Sequence, residues 1–222
     1  MMRRIFLVGL LLICFGGCSS IPFKPTALVS VKNITPEKIR DDFAASLPEK
    51  FELLNSVIFQ YGPSSFVALG YTSVDIKNKI FAVTGLSPAG IKLFDLFGND
   101  TGVEAKFILP EFSSKGDFAK AVAEAIRKIY FDRIPPSSAK IIKRKNQIIF
   151  QESIPDGMIE YIFAGADNLL TEKRYYRNGR PFSSVFYYDY LRNNSKLYPQ
   201  DIVFKHHQYH YQLRLRLKQI SQ

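Results

Sequence analysis

Few residues in this 222-residue chain are of types that do chemistry at close spacing. It has two cysteines, Cys14 and Cys18, and three histidines, His206, His207 and His210. Cys14 lies within an apolar run, Ile5 to Phe15, that follows Arg3 and Arg4 and ends at Gly16-Gly17. A cationic flank, a short apolar core and small residues before a cut are the marks of a secretory signal. The run is well short of the roughly 20 residues that span a bilayer as a helix, so cleavage is expected, and no thiol pair survives it. On a strand, His206 and His210 share a face while His207 points away, and no cysteine or suitably spaced carboxylate joins them; no metal site is expected. Ser64-Ser65 follows a turn and lacks the context of a nucleophile elbow. The carboxylates Asp41-Asp42, Asp95 and Asp100, and Glu152 and Asp156 flank turns or sit on a helix without specific spacing. Gly85 and Gly90 follow a strand, but a second strand comes next, which excludes a phosphate loop. The residues therefore point to no catalytic group, no metal and no cofactor.

Cys18 has another use. Phe15-Gly16-Gly17-Cys18 resembles the lipobox of bacterial lipoproteins. That resemblance implies removal of residues 1–17 and a lipid on Cys18, an N-terminal membrane anchor. Ser19 in place of aspartate implies, by similarity to the enterobacterial sorting rule, the outer membrane with the body facing the periplasm. Removal of the signal leaves 205 residues and lowers the formal charge from +10 to +8. A basic surface suits anionic headgroups, and export argues against nucleic acid. The composition is globular, 46% hydrophobic and 23% charged. With 19 Phe, 12 Tyr and no Trp, it suggests a large β core or an apolar cavity.

The elements follow from periodicity. Residues 18–34 read as a lipidated tether with Pro22 and Pro25, and 35–222 as one domain. Thr35, Pro36 and Glu37 open a helix whose stripe is Ile39, Phe43 and Leu47. Five strands linked by short turns are predicted between Phe51 and Leu109. A second helix runs from about Phe118 to Phe131, with Ser114 and Asp117 fitting a capping box and Phe118, Val122, Ala125, Ile126 and Ile129 on its apolar face. A second set of strands follows, with Asn178-Gly179 the strongest hairpin signal. Alternation from Tyr209 to Leu217 marks a last strand with one wet and one buried face. The expected fold is mainly β (α+β): an antiparallel open half-barrel of about eleven strands, with helices plugging an apolar cavity.

This order of elements resembles the LolA/LolB superfamily, nearest its LolB-like branch and the uncharacterised lipoproteins related to it. The resemblance rests on the lipobox, the capped helix, the segment Ile80 to Phe94 around Ser87-Pro88-Ala89-Gly90, the mid-chain helix, the Asn178-Gly179 hairpin, and Pro199 before the closing strands. It implies a cavity that takes the acyl chains of a lipoprotein or another lipid for transfer or insertion at the envelope, with a periplasmic LolA-like carrier as partner. Candidate lining residues are Phe59, Phe66, Phe81, Leu93, Phe107, Ile126, Ile129, Phe186 and Leu215. Leu86, Ser87, Pro88, Ala89 and Gly90 match a membrane-facing turn; Ala89 stands where LolB receptors expose leucine, and Leu86 is a nearby substitute. The alternative is a non-catalytic structural or interaction lipoprotein with a filled core.

Overall fold

The computed structural model describes residues 23, 26–27, 29–31, 34–113 and 117–221. The signal segment, Cys18 and Ser114 lie outside the described residues.

The first helix forms where its caps predict it. In α1 (Pro36–Ser46), the Thr35 side chain accepts from the Lys38 amide, and Ile39 and Phe43 are buried. Five strands follow: β1 (Lys50–Tyr61), β2 (Ser64–Asp75), β3 (Ile80–Leu86), β4 (Lys92–Gly98) and β5 (Val103–Ile108). A single-turn helix α2 (Pro110–Ser113) leads to α3 (Phe118–Tyr130), capped by Asp117, which accepts from the Lys120 amide at 3.1 Å. Seven more strands complete the chain: β6 (Lys140–Arg144), β7 (Gln147–Ile154), β8 (Gly157–Ala164), β9 (Leu169–Arg177), β10 (Arg180–Asn193), β11 (Lys196–His206) and β12 (Tyr211–Ser221).

All twelve strands form one antiparallel sheet, in the order β5-β4-β3-β2-β1-β12-β11-β10-β9-β8-β7-β6. Among the described residues the strand total is twelve where about eleven were expected. Two meanders join through β1 and β12, and the sheet stays open between β5 and β6. The chain crosses that gap as α2 and α3. Asn178 and Gly179 both take positive φ, 50° and 72°, as a two-residue hairpin with matching twist requires. Register shifts near Leu54, Gly85, Asp95, Ile162 and Pro181 curl the sheet.

The concave face holds the core. Phe51, Leu53, Val74, Phe81 and Leu96 from the first meander meet Ala123, Ile126, Ile129, Tyr130 and Phe131, while Tyr161, Phe163, Leu170, Val185 and Phe204 close it from the second. Phe43 carries α1 into this core, 5.3 Å from the Phe163 ring edge-on. Gly85 and Gly98 are needed there: a Cβ on Gly85 would collide with the Phe94 ring, and one on Gly98 would stand 2.6 Å from the Phe81 ring.

α3 is tied to both halves. Arg127 donates to the Asn99 and Gly102 carbonyls of the β4–β5 turn at 2.6 and 2.7 Å. On the other side its last carbonyls, which have no partner within the helix, accept from Tyr187 (to Ile129, 2.7 Å) and Tyr175 (to Lys128, 3.4 Å). The buried Lys173 donates to the Phe131 and Asp132 carbonyls just beyond, at 3.0 and 3.2 Å.

Candidate functional site

The two ends of the concave face differ. At one end Phe51, Phe81, Leu96, Tyr130 and Phe131 are buried. Toward the β1–β2 turn the wall is aromatic and only half-buried. Phe59, Phe66, Phe94 and Tyr211 rise from the sheet, and Phe112 of α2 and Phe118 of α3 lie over them. The rings form chains: Phe66 to Phe112 at 5.3 Å, Phe112 to Phe118 and Phe94 to Phe118 at 5.1 Å each, and Phe59 to Tyr211 at 5.6 Å. Register sets this wall: Phe59 pairs with Phe66 on one side and Leu213 on the other. Its cover is slight. α2 has four residues and none is buried; the Leu109 amide on the Leu93 carbonyl (2.9 Å) secures its start.

The rim toward the second meander is polar. Lys128 Nζ lies 2.6 Å from Glu124 Oε1 and 3.0 Å from Ser183 Oγ, over the rings of Phe182 (4.4 Å) and Tyr175 (4.9 Å). Burial pushes the Lys128 pKa down, with Glu124 opposing. His206 is buried between Tyr209 and Tyr211, with ring centroids at 4.6 and 5.0 Å. The Tyr209 amide donates to its Nδ1 at 3.2 Å, so Nε2 holds the proton of the neutral ring, 4.0 Å from Glu124. Burial lowers the His206 pKa. His207 turns outward to Ser184 Oγ at 2.9 Å, and His210 sits in the turn at φ 52°. Among the described residues no group of three or more His, Cys, Asp or Glu is placed to hold a metal.

The candidate lining residues separate into four places. Phe81, Ile126, Ile129 and Leu215 belong to the central core, and Phe59 and Phe66 to the aromatic wall. Phe107 and Phe186 are on the other side of the sheet. Phe107 pairs with Asp95, outward, because the bulge in β5 reverses the alternation; Phe186 pairs with Val203 and packs beneath Phe23 of the tether. Leu93 is buried at the β3–β4 bulge, apart from the main core, and its neighbour Phe94 takes the inward position. Phe94, Phe112, Phe118 and Tyr211 were absent from the expected lining. Tyr211 and Phe118 do lie on predicted apolar faces, and Phe94 alternates inward with Leu96, opposite Gly85.

One open cleft of about 940 Å³ lies at the β7–β8 and β9–β10 turns, lined by Met158, Tyr176 and Asn178 among others; a second of about 460 Å³ is lined by His206, His210, Tyr211 and Arg214. α3 and its neighbours pack against the middle of the concave face, and the half-buried aromatic wall is an accessible apolar part of it. The Ser87–Ile91 turn is closed by the Ser87 amide on the Ile91 carbonyl (2.8 Å), with Gly90 at φ 82°. Its protruding apolar side chain is Ile91, 61% exposed; Leu86 is half-buried on the outer face opposite Lys92.

No family model and no curated protein sequence matches this chain. Solved structures do match. A LolA superfamily protein from Nitrosomonas europaea superposes with a TM-score of 0.56 at 9% identity, over 85% of this chain and 94% of that one. A Vibrio parahaemolyticus domain, named for outer membrane lipoprotein sorting, gives 0.52 at 12% identity over 83% and 90%. A DUF1329 family protein from Desulfovibrio piger gives 0.51 at 7% identity over 83% and 91%. The chain thus has the open half-barrel fold of LolA superfamily proteins.

Proposed function

We propose that this chain is an envelope lipoprotein, anchored through Cys18 at the outer membrane and facing the periplasm, that takes acyl chains of a lipoprotein or another lipid against its concave face. The observation that carries this reading is the aromatic wall. Phe59, Phe66, Phe94 and Tyr211 remain half-buried, with Phe112 of α2 against Phe66 and Phe118 of α3 against Phe94, and burying an acyl CH₂ there gains about 0.8 kcal/mol. The likeness in fold to a protein named for lipoprotein sorting supports the same class of ligand. A LolA-like carrier would supply the cargo. The test is mass spectrometry of lipids that copurify with the Cys18→Ala chain, together with uptake of a fluorescent fatty acid. Bound acyl species and uptake that falls on Phe112→Glu are expected. Neither acyl species nor uptake would overturn it.

A second reading draws on the filled part of the core. Tight packing around Phe81, Leu96 and Phe131 suits a structural or interaction lipoprotein that holds no lipid, and the negative outcome of the same experiment favours it.

A further inference from the structure

Exposed apolar side chains are spread unevenly over this molecule. Among the described residues, Ile58, Val67, Tyr71, Ile80, Phe97 and Phe107 stand exposed, and pairing places all of them on the outer face of β1–β5. Ile58 pairs with Val67, Tyr71 with Leu54, and Leu69 with Leu86, so half-buried leucines fill the spaces between them. The outer face of β10 and β11 is different. Tyr188 and Val203 are buried there beneath Phe23, with Phe186 packed alongside.

Phe23 also fixes where the tether leaves. Arg216 lies over its ring at 5.2 Å and donates to the Asp201 carboxylate at 2.7 Å. Across the sheet Arg216 pairs with Ser56 of β1, and Arg214 pairs with Ile58. Lys205, over the Phe186 ring at 5.4 Å, lies on the same side. Cys18 is five residues before Phe23, and an extended chain of that length reaches at most about 18 Å. A lipid on Cys18 therefore enters its bilayer beside the outer face of the sheet, next to three cations and the apolar surface.

We propose that the outer face of β1–β5, where Glu52, Asp75 and Asp95 are partnered by Tyr71, Lys50 and Lys92 and Arg214, Arg216 and Lys205 stand alongside, lies against a lipid bilayer. The choice of occupant rests on Cys18 being the anchor. Aliphatic and aromatic side chains of modest protrusion beside basic residues suit the headgroup boundary. In this orientation the concave aromatic wall points away from the membrane, toward the aqueous side from which cargo arrives.

The chain contains no tryptophan, so single tryptophans report position without background. The full chain, as Val67→Trp, Phe97→Trp, Ile91→Trp or Tyr209→Trp, is placed in phosphatidylethanolamine–phosphatidylglycerol vesicles with brominated acyl chains. Emission at positions 67 and 97 is expected to shift to the blue and to be quenched, and emission at 209 to stay red and unquenched. Quenching only at 91 would overturn the proposal, since the turn alone would then touch lipid. So would no quenching at 67 and 97, or shielding of both in vesicle-free solution by a concentration-dependent dimer. The intact mass of the same samples separates the two readings. Quenching at 67 and 97 without a diacylglycerol on Cys18 sinks the anchor and keeps the face; a lipidated chain without that quenching sinks the face alone.

Discussion

Lys173 offers a direct test of how the plug helix is held. Its side chain is fully buried, with Nζ donating to the Phe131 and Asp132 carbonyls. Burial pushes its pKa from 10.5 down to about 7; Asp132 opposes that shift, and Arg133 and Lys128 add to it. The unfolded chain keeps this proton up to about pH 10.5, whereas the folded chain releases it from about pH 7. Between those values the unfolded state binds more protons, so stability rises with pH. Below pH 7 both states are protonated and the contribution is flat, at its least favourable. Integration from pH 7 to pH 9 gives about 2 kcal/mol, against a limiting slope of about 1.4 kcal/mol per pH unit. Lys173→Met keeps the length of the side chain and removes the titration. Urea unfolding followed by far-ultraviolet circular dichroism, at pH 7 and 9, supplies the comparison. The difference in stability, wild type minus variant, is expected to move toward the wild type by about 2 kcal/mol across that interval. His206 and His207, both lowered by burial, titrate below this window in both proteins and cancel. The lost hydrogen bonds count equally at both pH values, since a neutral amine also donates. A difference that does not change with pH would mean that Lys173 stays charged in the folded protein, and the account of the buried amine would be wrong.

Other contacts give sharper local outcomes. Arg127→Ala removes two charged donors from the Asn99 and Gly102 carbonyls and should cost about 1–3 kcal/mol, with faster amide exchange in the β4–β5 turn than elsewhere in the sheet. Tyr187→Phe leaves the Ile129 carbonyl without its side-chain donor; a loss of about 1–2 kcal/mol in urea unfolding is expected. Gly85→Ala forces a methyl into the Phe94 ring and should cost about 1–3 kcal/mol, seen as a lower melting temperature and altered Phe94–Phe118 ring signals in nuclear magnetic resonance.

The fold was legible because its signals are local. Alternation in Tyr211 to Leu217, the caps at Thr35 and Asp117, and Asn178-Gly179 each fix an element without help from the rest. The site was less so, for two reasons. Bulges change which face a residue occupies: the one in β5 puts Phe107 outside, and Leu93 is the extra residue of the one at Leu86, while Phe94 keeps the inward face with Leu96. Long-range cover is the other reason. Phe186 alternates as an outward residue, yet it is shielded by Phe23, which reaches it from the tether, more than 160 positions away in sequence. Whether the concave face is hollow or filled is also a matter of tertiary packing, since Phe81 and Phe131 have the same composition either way.

An acyl ligand reaches the concave face beneath α2 and α3 only if this cover moves, and the contacts divide the helix accordingly. The C-terminal end of α3 is bound to both meanders by Arg127, Tyr175 and Tyr187, with Lys173 holding the carbonyls just beyond. Its N-terminal end and α2 meet the sheet mainly through the rings of Phe112 and Phe118. Parting such a ring pair forfeits about 0.5–1.5 kcal/mol, and exposing each Phe adds about 1.5–3 kcal/mol at most. For these two rings the cost is then below about 10 kcal/mol. Shielding some ten to twelve methylenes of one acyl chain returns about 8–10 kcal/mol, a similar magnitude, and the displaced rings can pack on the chain instead of meeting water. Uptake then requires motion at α2 and the first turns of α3 and none at Lys173. Hydrogen exchange measured with and without a bound fatty acid distinguishes the two ends: altered protection at residues 118–122 with 127–130 unchanged is expected. Equal change along the whole helix would require α3 to leave as a unit, against the polar contacts that hold it.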